Sequence, residues 1–343
     1  MKKLFFLLIS LSFILVSCKS KEDASKLKTE PDDKPLQTEK DVNAQGTVNL
    51  KYNLQKGKKY VFLLSTSEDN KETLKADTTI NQNLFRKQVL KITFEVLNVD
   101  SDGSFDLNST INHLKISMSD GKQTITFDSD KDANKKEQFG NYLAMVNNSF
   151  GVRIRNNGEL LEITKMDKLV NKLLEYIGNQ IPNDKKAEFI NYSANSLKMQ
   201  ISQMVSQIFK PLPNKNIGID TTWQVVNQAK AGTFDITTFI NYKAKSFEKL
   251  NDDKLLVYEA TLLNKITGKD KIIENGNEFR FDKPNIQGTS TTYFNLTKGC
   301  VQKSISNMST YNSVSLLPKG GKFQVRSTNA KSSNIIEFLG IEN

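Results

Sequence analysis

Strict alternation of apolar and polar residues is the feature that most limits what this chain can become. Leu90, Ile92, Phe94 and Val96 are separated by Lys91, Thr93 and Glu95. The same step of two recurs over Phe234, Ile236, Thr238, Ile240 and Tyr242, and again over Leu256, Tyr258, Ala260 and Leu262. Successive side chains of a strand point to opposite faces, so each run predicts a long strand with one dry and one wet face. Tyr60 to Leu64 is apolar throughout and predicts a buried strand, and further strands are expected over 278–281, 290–296, 301–308 and 323–328.

Turn chemistry separates these runs. Asp100-Ser101-Asp102-Gly103 stands between alternating segments and predicts a hairpin. Beyond it Phe105 and Leu107 set one parity, and Leu114, Ile116 and Met118 set the other, which predicts a bulge near His113. Asn156-Asn157-Gly158 and Lys298-Gly299 mark two more turns.

The middle of the chain changes period. Asn134 is the expected N-cap of a helix carrying Phe139, Tyr142, Leu143 and Val146 on one face. Thr164, with Asp167 three residues on, is expected to cap a second helix striped by Leu169, Val170 and Leu173. Asn183 opens a third, in which Ile190, Ala194, Leu197, Ile201, Met204 and Ile208 recur at helical spacing until Pro211 ends it.

The two β regions echo each other. Gly57-Lys58-Lys59-Tyr60 opens the first and Gly218 to Trp223 the second, Phe127-Asp128 is matched by Phe281-Asp282, and Asn157-Gly158-Glu159-Leu160 by Lys298-Gly299-Cys300-Val301. The expected fold class is therefore α+β: mainly long antiparallel β-strands forming a curved sheet or half-barrel, a helical insert packed on one face, and an internal duplication around it. Within a body at 47–343, this places a first β module at 47–133, a mostly helical insert at 134–210 and a second β module at 211–343.

Ahead of the body, residues 1–17 carry Lys2 and Lys3 and then an apolar stretch from Leu4 to Val16, too short to span a bilayer comfortably. That is the pattern of a secretion signal. Leu15-Val16-Ser17-Cys18 resembles the lipobox of bacterial lipoproteins, which implies cleavage before Cys18 and acylation of that residue, palmitate-like chains holding the protein to a membrane. Lys21, Glu22 and Asp23 resemble the surface-export signal of Bacteroidetes lipoproteins, which implies an outer membrane lipoprotein at the cell surface in preference to one facing the periplasm. Residues 18–46 are lysine, acid, proline and small polar residues, expected to form a disordered lipidated tether.

Gly57-Lys58-Lys59-Tyr60, Val99 to Gly103, Phe127-Asp128-Ser129, Asn157 to Leu160, and Pro213-Asn214-Lys215 running to Gly218 and Trp223 together resemble an uncharacterised family of Bacteroidetes lipoproteins, a domain of unknown function. The resemblance runs from about Leu50 onward and implies location and layout, with no catalytic residues.

Chemistry is sparse. A single histidine, His113, and two cysteines exclude a His/Cys zinc cage, and no Walker loop, GxGxxG, GxSxG or HExxH occurs. With Cys18 lipidated, Cys300 has no disulfide partner and reads as a small strand residue. Asn98, Asp100 and Asp102 have the oxygen spacing that starts a calcium loop, making calcium the candidate cation there; the twelfth position is Ser109 where a bidentate glutamate belongs, so the hairpin turn is the preferred reading. Asp128, Asp130 and Asp132 also gather oxygens, with Lys131 among them. The formal charge of +10 is scattered, without basic runs interleaved with aromatics, so no nucleic-acid partner is expected. No cofactor and no catalytic residue is expected either. The function read from these features is a non-enzymatic, lipid-anchored binding or carrier module for a hydrophobic ligand or an envelope partner. The alternatives are a structural or adhesive surface protein and a hydrolase of unfamiliar type.

Overall fold

The computed structural model describes residues 28–42, 44, 46–177 and 181–343. Strands dominate it. The first meander of the main sheet contains β3 (Lys59–Lys75), β4 (Thr79–Val99), β5 (Phe105–Ser119), β7 (Ser149–Ile154) and β8 (Leu160–Thr164), with the short β6 (Thr124–Asp128) pairing onto β5. Short strands β1 (Glu39–Lys40) and β2 (Val48–Asn49) precede it. The helices α1 (Lys136–Leu143), α2 (Met166–Ile177) and α3 (Lys186–Ile208) follow β6 and β8 in chain order. After β9 (Asn216–Ile217), a second meander runs through β10 (Thr222–Ala231), β11 (Phe234–Leu250), β12 (Asp253–Gly268), β15 (Asn285–Asn295) and β16 (Cys300–Leu317). Between β12 and β15 stands a small hairpin, β13 (Lys271–Glu274) and β14 (Asn277–Phe281). Finally β17 (Gln324–Glu342) lies between β16 and β3 and joins the meanders.

Each pairing is antiparallel, as short connections require. Eleven neighbouring strands, at about 4.8 Å per step, would spread roughly 50 Å if flat. One core nevertheless draws residues from ten of them, all but β1, so the sheet curls. Phe209, just past α3, stands at its centre. Its ring lies 5.0 Å from Phe94, 6.4 Å from Phe62 and 5.3 Å from Tyr52, and Tyr52 reaches Phe294 of the second meander at 5.5 Å. The curved, open antiparallel sheet with helices on its inner face is the architecture that the alternation predicted.

The bulge expected near His113 is present: the register of β4 on β5 shifts at Lys91/Ile92, and Asn112 is the extra residue. The helix starts differ from expectation. α1 begins at Lys136, with Lys135 at its N-cap position and no side-chain cap, so Asn134 lies one residue too early. Thr164 ends β8 by pairing with Gly151, and Lys165 makes the corner into α2 at φ +61°. The signal at Thr164 yielded to strand pairing, whereas Asn134 sits in the turn that leads into α1.

The strands also run much further than their apolar stretches. Residues beyond Leu64 on β3, before Gln88 on β4 and over 324–334 on β17 are mostly polar, with scattered exposed apolar residues such as Ile80, Leu84 and Phe85, yet they pair in register to the strand ends. Ladder hydrogen bonds hold them, without a hydrophobic period to announce them. Residues 28–42, inside the stretch whose composition predicted a tether, lie along the sheet. β1 pairs with β11, Leu36 packs beside Leu255, Val257 and Tyr293, and Lys28 pairs with Glu337.

Candidate functional site

The inner face changes character at one level. On β3 the inward residues Tyr60, Phe62 and Leu64 give way to Thr66 and Glu68, on β4 Phe94, Ile92 and Leu90 give way to Gln88 and Arg86, and on β17 Phe338 and Ile336 give way to Asn334 and Ser332. The register aligns these transitions. Ser290, Ser306, Asn334, Thr66 and Gln88 are successive cross-strand partners, forming one polar row over five strands. Within it Ser306 bonds to Ser290 at 2.9 Å and Thr66 donates to Asn334 at 2.8 Å. Below the row lies the dry core. Above it the inner face is a trough, only partly covered.

α3 forms one wall. Between it and β3, β4 and β5 sits a cavity of about 240 Å³. Leu64, Leu90, Ile111, Met145, Ile201 and Met204 supply its apolar lining, while Thr66, Glu68, Arg86, Gln88 and three glutamines of α3 supply the polar side. The guanidinium of Arg86 donates through one terminal nitrogen to Gln88 Oε1 at 3.1 Å and to Tyr142 Oη at 3.2 Å. Both partners are neutral. Arg86 Nε and Gln207 Oε1 are buried without any partner. An unpaired buried polar group costs about 1–3 kcal/mol, so two of them lining one cavity, from β4 and from α3, mark a place where hydrogen bonding is incomplete.

A second cation lies on the same polar row. Lys210, which follows the core residue Phe209, donates from Nζ to Ser306 Oγ at 3.2 Å and Ser290 Oγ at 3.3 Å. Burial lowers its pKa to about 8, with no charged neighbour to offset it.

His113, which the bulge precedes, points Nε2 at Asp128 Oδ1 (2.9 Å) and Asp130 Oδ2 (3.5 Å). These three side chains could present a metal ion with one atom each, all within 4.8 Å. Burial pushes the Asp128 carboxyl up, but the His113 hydrogen bond and the Asp130 N–H outweigh it and hold the carboxyl below its ordinary value. Lys115 and Lys131 stand 4.0 Å from the same carboxylate and already supply counter-charge.

The calcium candidates Asn98, Asp100 and Asp102 form a turn. Asn98 donates to Asp100, Asp102 accepts the Ser104 N–H, and Arg153 pairs with Asp100 and Asp106. A guanidinium stands beside the oxygens that would have faced the ion. Cys300 is fully buried, and burial pushes its thiol far above the ordinary range, so it is no nucleophile at neutral pH. Cys18, Lys21, Glu22 and Asp23 lie outside the described residues.

Sequence reasoning did not single out Arg86, Gln207 or Lys210. The signal was available: polar residues continue the parity of an apolar run on β3, β4 and β17 at once. Only the register shows that they share a level.

Comparison with solved structures returns distant likenesses. A lipovitellin structure, described by its lipid–protein interactions, aligns with a TM-score of 0.41 and 11% identity, covering 84% of this chain and 26% of that one. The chain therefore spans about a quarter of the lipovitellin chain. OccK5 (OpdH) of Pseudomonas aeruginosa aligns at a TM-score of 0.22 with 7% identity, covering 82% of this chain and 99% of its own. An outer membrane channel from Pseudomonas putida F1 aligns at 0.18 with 9% identity, covering 82% and 97%. No curated protein matches the chain. A family model does, over residues 102–299, from the first hairpin turn through the helices to the turn before Cys300. The chain belongs to DUF6263, a family of unknown function.

Proposed function

We propose that this chain is a non-enzymatic, lipid-anchored envelope protein whose inner trough binds a hydrophobic or amphipathic ligand. The observation that carries the reading is the cavity between α3 and the sheet. It sets six apolar lining residues against seven polar ones and opens above a dry core, a mixed lining that suits a ligand with both an apolar and a polar part. The four glutamines among its polar residues do not titrate, which favours binding over proton transfer.

The anchor rests on the sequence pattern of residues 1–18, and the surface location on Lys21, Glu22 and Asp23. Native mass spectrometry of the chain extracted from its own membrane tests the binding reading. A retained ligand of fixed mass, displaced when Met204→Trp fills the cavity, is the expected result; a bare chain in both forms overturns it. Incorporation of labelled palmitate, lost in Cys18→Ala, tests the anchor. Protease shaving of intact cells separates the two leaflets.

A further inference from the structure

We infer that the ligand of the trough carries an acidic head, a carboxylate or phosphate on a single acyl-type chain, and that Arg86 receives it. This inference rests on the binding reading above and deepens it.

Arg86 lines the cavity, its hydrogen bonds go to two neutral groups, and its Nε lacks an acceptor. Its cross-strand neighbour is Glu68, also on the cavity wall, yet no carboxylate among the described residues approaches the guanidinium as an ion pair. Lys210, on the same inner face, is likewise held only by two hydroxyls. Both residues are half-buried, with Arg86 Nε itself shielded from water, and neither has a carboxylate partner among the described residues, whereas charge shielded from water is normally paired. An anion brought by the ligand supplies the missing partner and uses Nε–H as a charge-assisted donor. Gln207, whose Oε1 is also unpartnered, lines the same cavity from α3 and can accept a hydrogen bond from a proton-bearing oxygen of the head or from a glyceryl-type hydroxyl.

Size then limits the ligand. A cavity of about 240 Å³ has room for roughly eight waters, less than a drug-sized ligand needs. It fits a head and the first stretch of one chain against Leu64, Leu90, Ile201 and Met204, the remainder running along the open trough towards Met308 and Leu84, both exposed.

The experiment uses the full chain in phosphatidylcholine nanodiscs, with empty nanodiscs subtracted. It is titrated with [1-¹³C]decanoate, decyl phosphate, decanol, acetate and inorganic phosphate, and the bound carboxyl resonance is followed against pH. The expected result is that decanoate or decyl phosphate binds at least tenfold more tightly than decanol, with the bound carboxyl titrating below its ordinary value. Arg86→Gln should lose that tenfold and return the carboxyl to its ordinary titration, while decanol binding stays unchanged; Arg86→Lys should retain part of the preference. Whichever of the two acids binds more tightly tells a fatty-acid source from a phospholipid one. Equal binding of decanoate and decanol, or an Arg86→Gln chain that still prefers the acid, overturns the acidic head and leaves the trough reading standing. Acetate or phosphate binding as tightly as the amphiphiles overturns it in favour of a free-anion site. If no amphiphile binds at all, the trough reading fails and this inference with it. Gln207→Leu serves as the second variant, expected to weaken the acids about threefold, should Arg86→Gln not fold.

Discussion

The two meanders are the same device used twice with different fillings. β3-β4-β5-β7-β8 and β10-β11-β12-β15-β16 have matching neighbour relations, and their irregularities fall in matching pairs: β4 on β5 and β11 on β12, then β7 on β8 and β15 on β16. The turns before β8 and β16 also correspond. Both place a glycine at positive φ, Gly158 at +86° and Gly299 at +66°. The adjacent N–H groups of Tyr52 and Asn53 bond to these two turns, at Asn156 O (2.7 Å) and Gly299 O (3.0 Å). One short segment thus spans both halves. What differs is the filling. The first meander is covered by three helices, whereas the second packs its own Trp223, Tyr242 and Tyr258 into its concavity. The short hairpins differ too: β6 folds back on β5, but β14 reaches across to β16. Strand order and turn chemistry therefore carry the repeat, and the insert of helices creates the cavity that only one half possesses.

The comparison can be broken most forcefully at the centre. Phe209→Ala removes the ring that packs on Phe62, Phe94 and Tyr52, the last of which reaches Phe294 of the second meander, and should cost about 3–5 kcal/mol, read as a lowered urea midpoint in a single transition. Two separate transitions would show that the meanders fold independently. The equivalent turns come next. A Cβ on Gly158 would lie 2.4 Å from the Lys210 carbonyl oxygen, and one on Gly299 would lie 2.7 Å from the Asn53 backbone nitrogen. Alanine at either site should cost about 3 kcal/mol, against about 1 kcal/mol at Gly320, where φ is also positive but the added atom meets nothing. Unequal losses at the two turns would sink the equivalence.

Lys210 sharpens the contrast in charge. Its folded pKa of about 8 is below its ordinary value, so between those limits the unfolded chain binds more protons. The destabilisation is fully present below pH 8 and is relieved as pH rises. Wild type should therefore gain about 2 kcal/mol relative to Lys210→Met between pH 7.5 and 9.5, measured by urea unfolding at each pH. The smallest effect belongs to Cys300, whose counterpart in the first meander is the exposed Glu159. Cys300→Ala deletes one buried sulfur and should cost about 1 kcal/mol, while the native thiol should react with maleimide at least a hundredfold more slowly than the denatured one.

Much of this was legible in the sequence wherever a strand has one dry face. Alternation located β4, β11 and β12, the parity switch located the bulge before His113, and the stripe from Leu197 to Ile208 located the buried part of α3. The far halves of β3, β4 and β17 were invisible because mostly polar residues with a few scattered apolar ones leave no period to read. Helix caps were misjudged where a neighbouring strand had claimed the capping residue, as at Thr164. The cavity was the least legible part. Arg86 and Gln207 are far apart in sequence, and nothing local to either announces that they line one cavity.

The placement of β17 has a consequence for how such a molecule comes into being. Its pairing with β3 joins residues as distant as Lys59 and Glu342, so the seam cannot form until nearly the whole body exists. Until then β3 and β16 each present a long naked border, open to any passing strand, and a nascent molecule is most vulnerable to clumping just before its last stitch. A chaperone that shields those borders would act there, and a chain cut short before Gln324 would be left permanently unzipped.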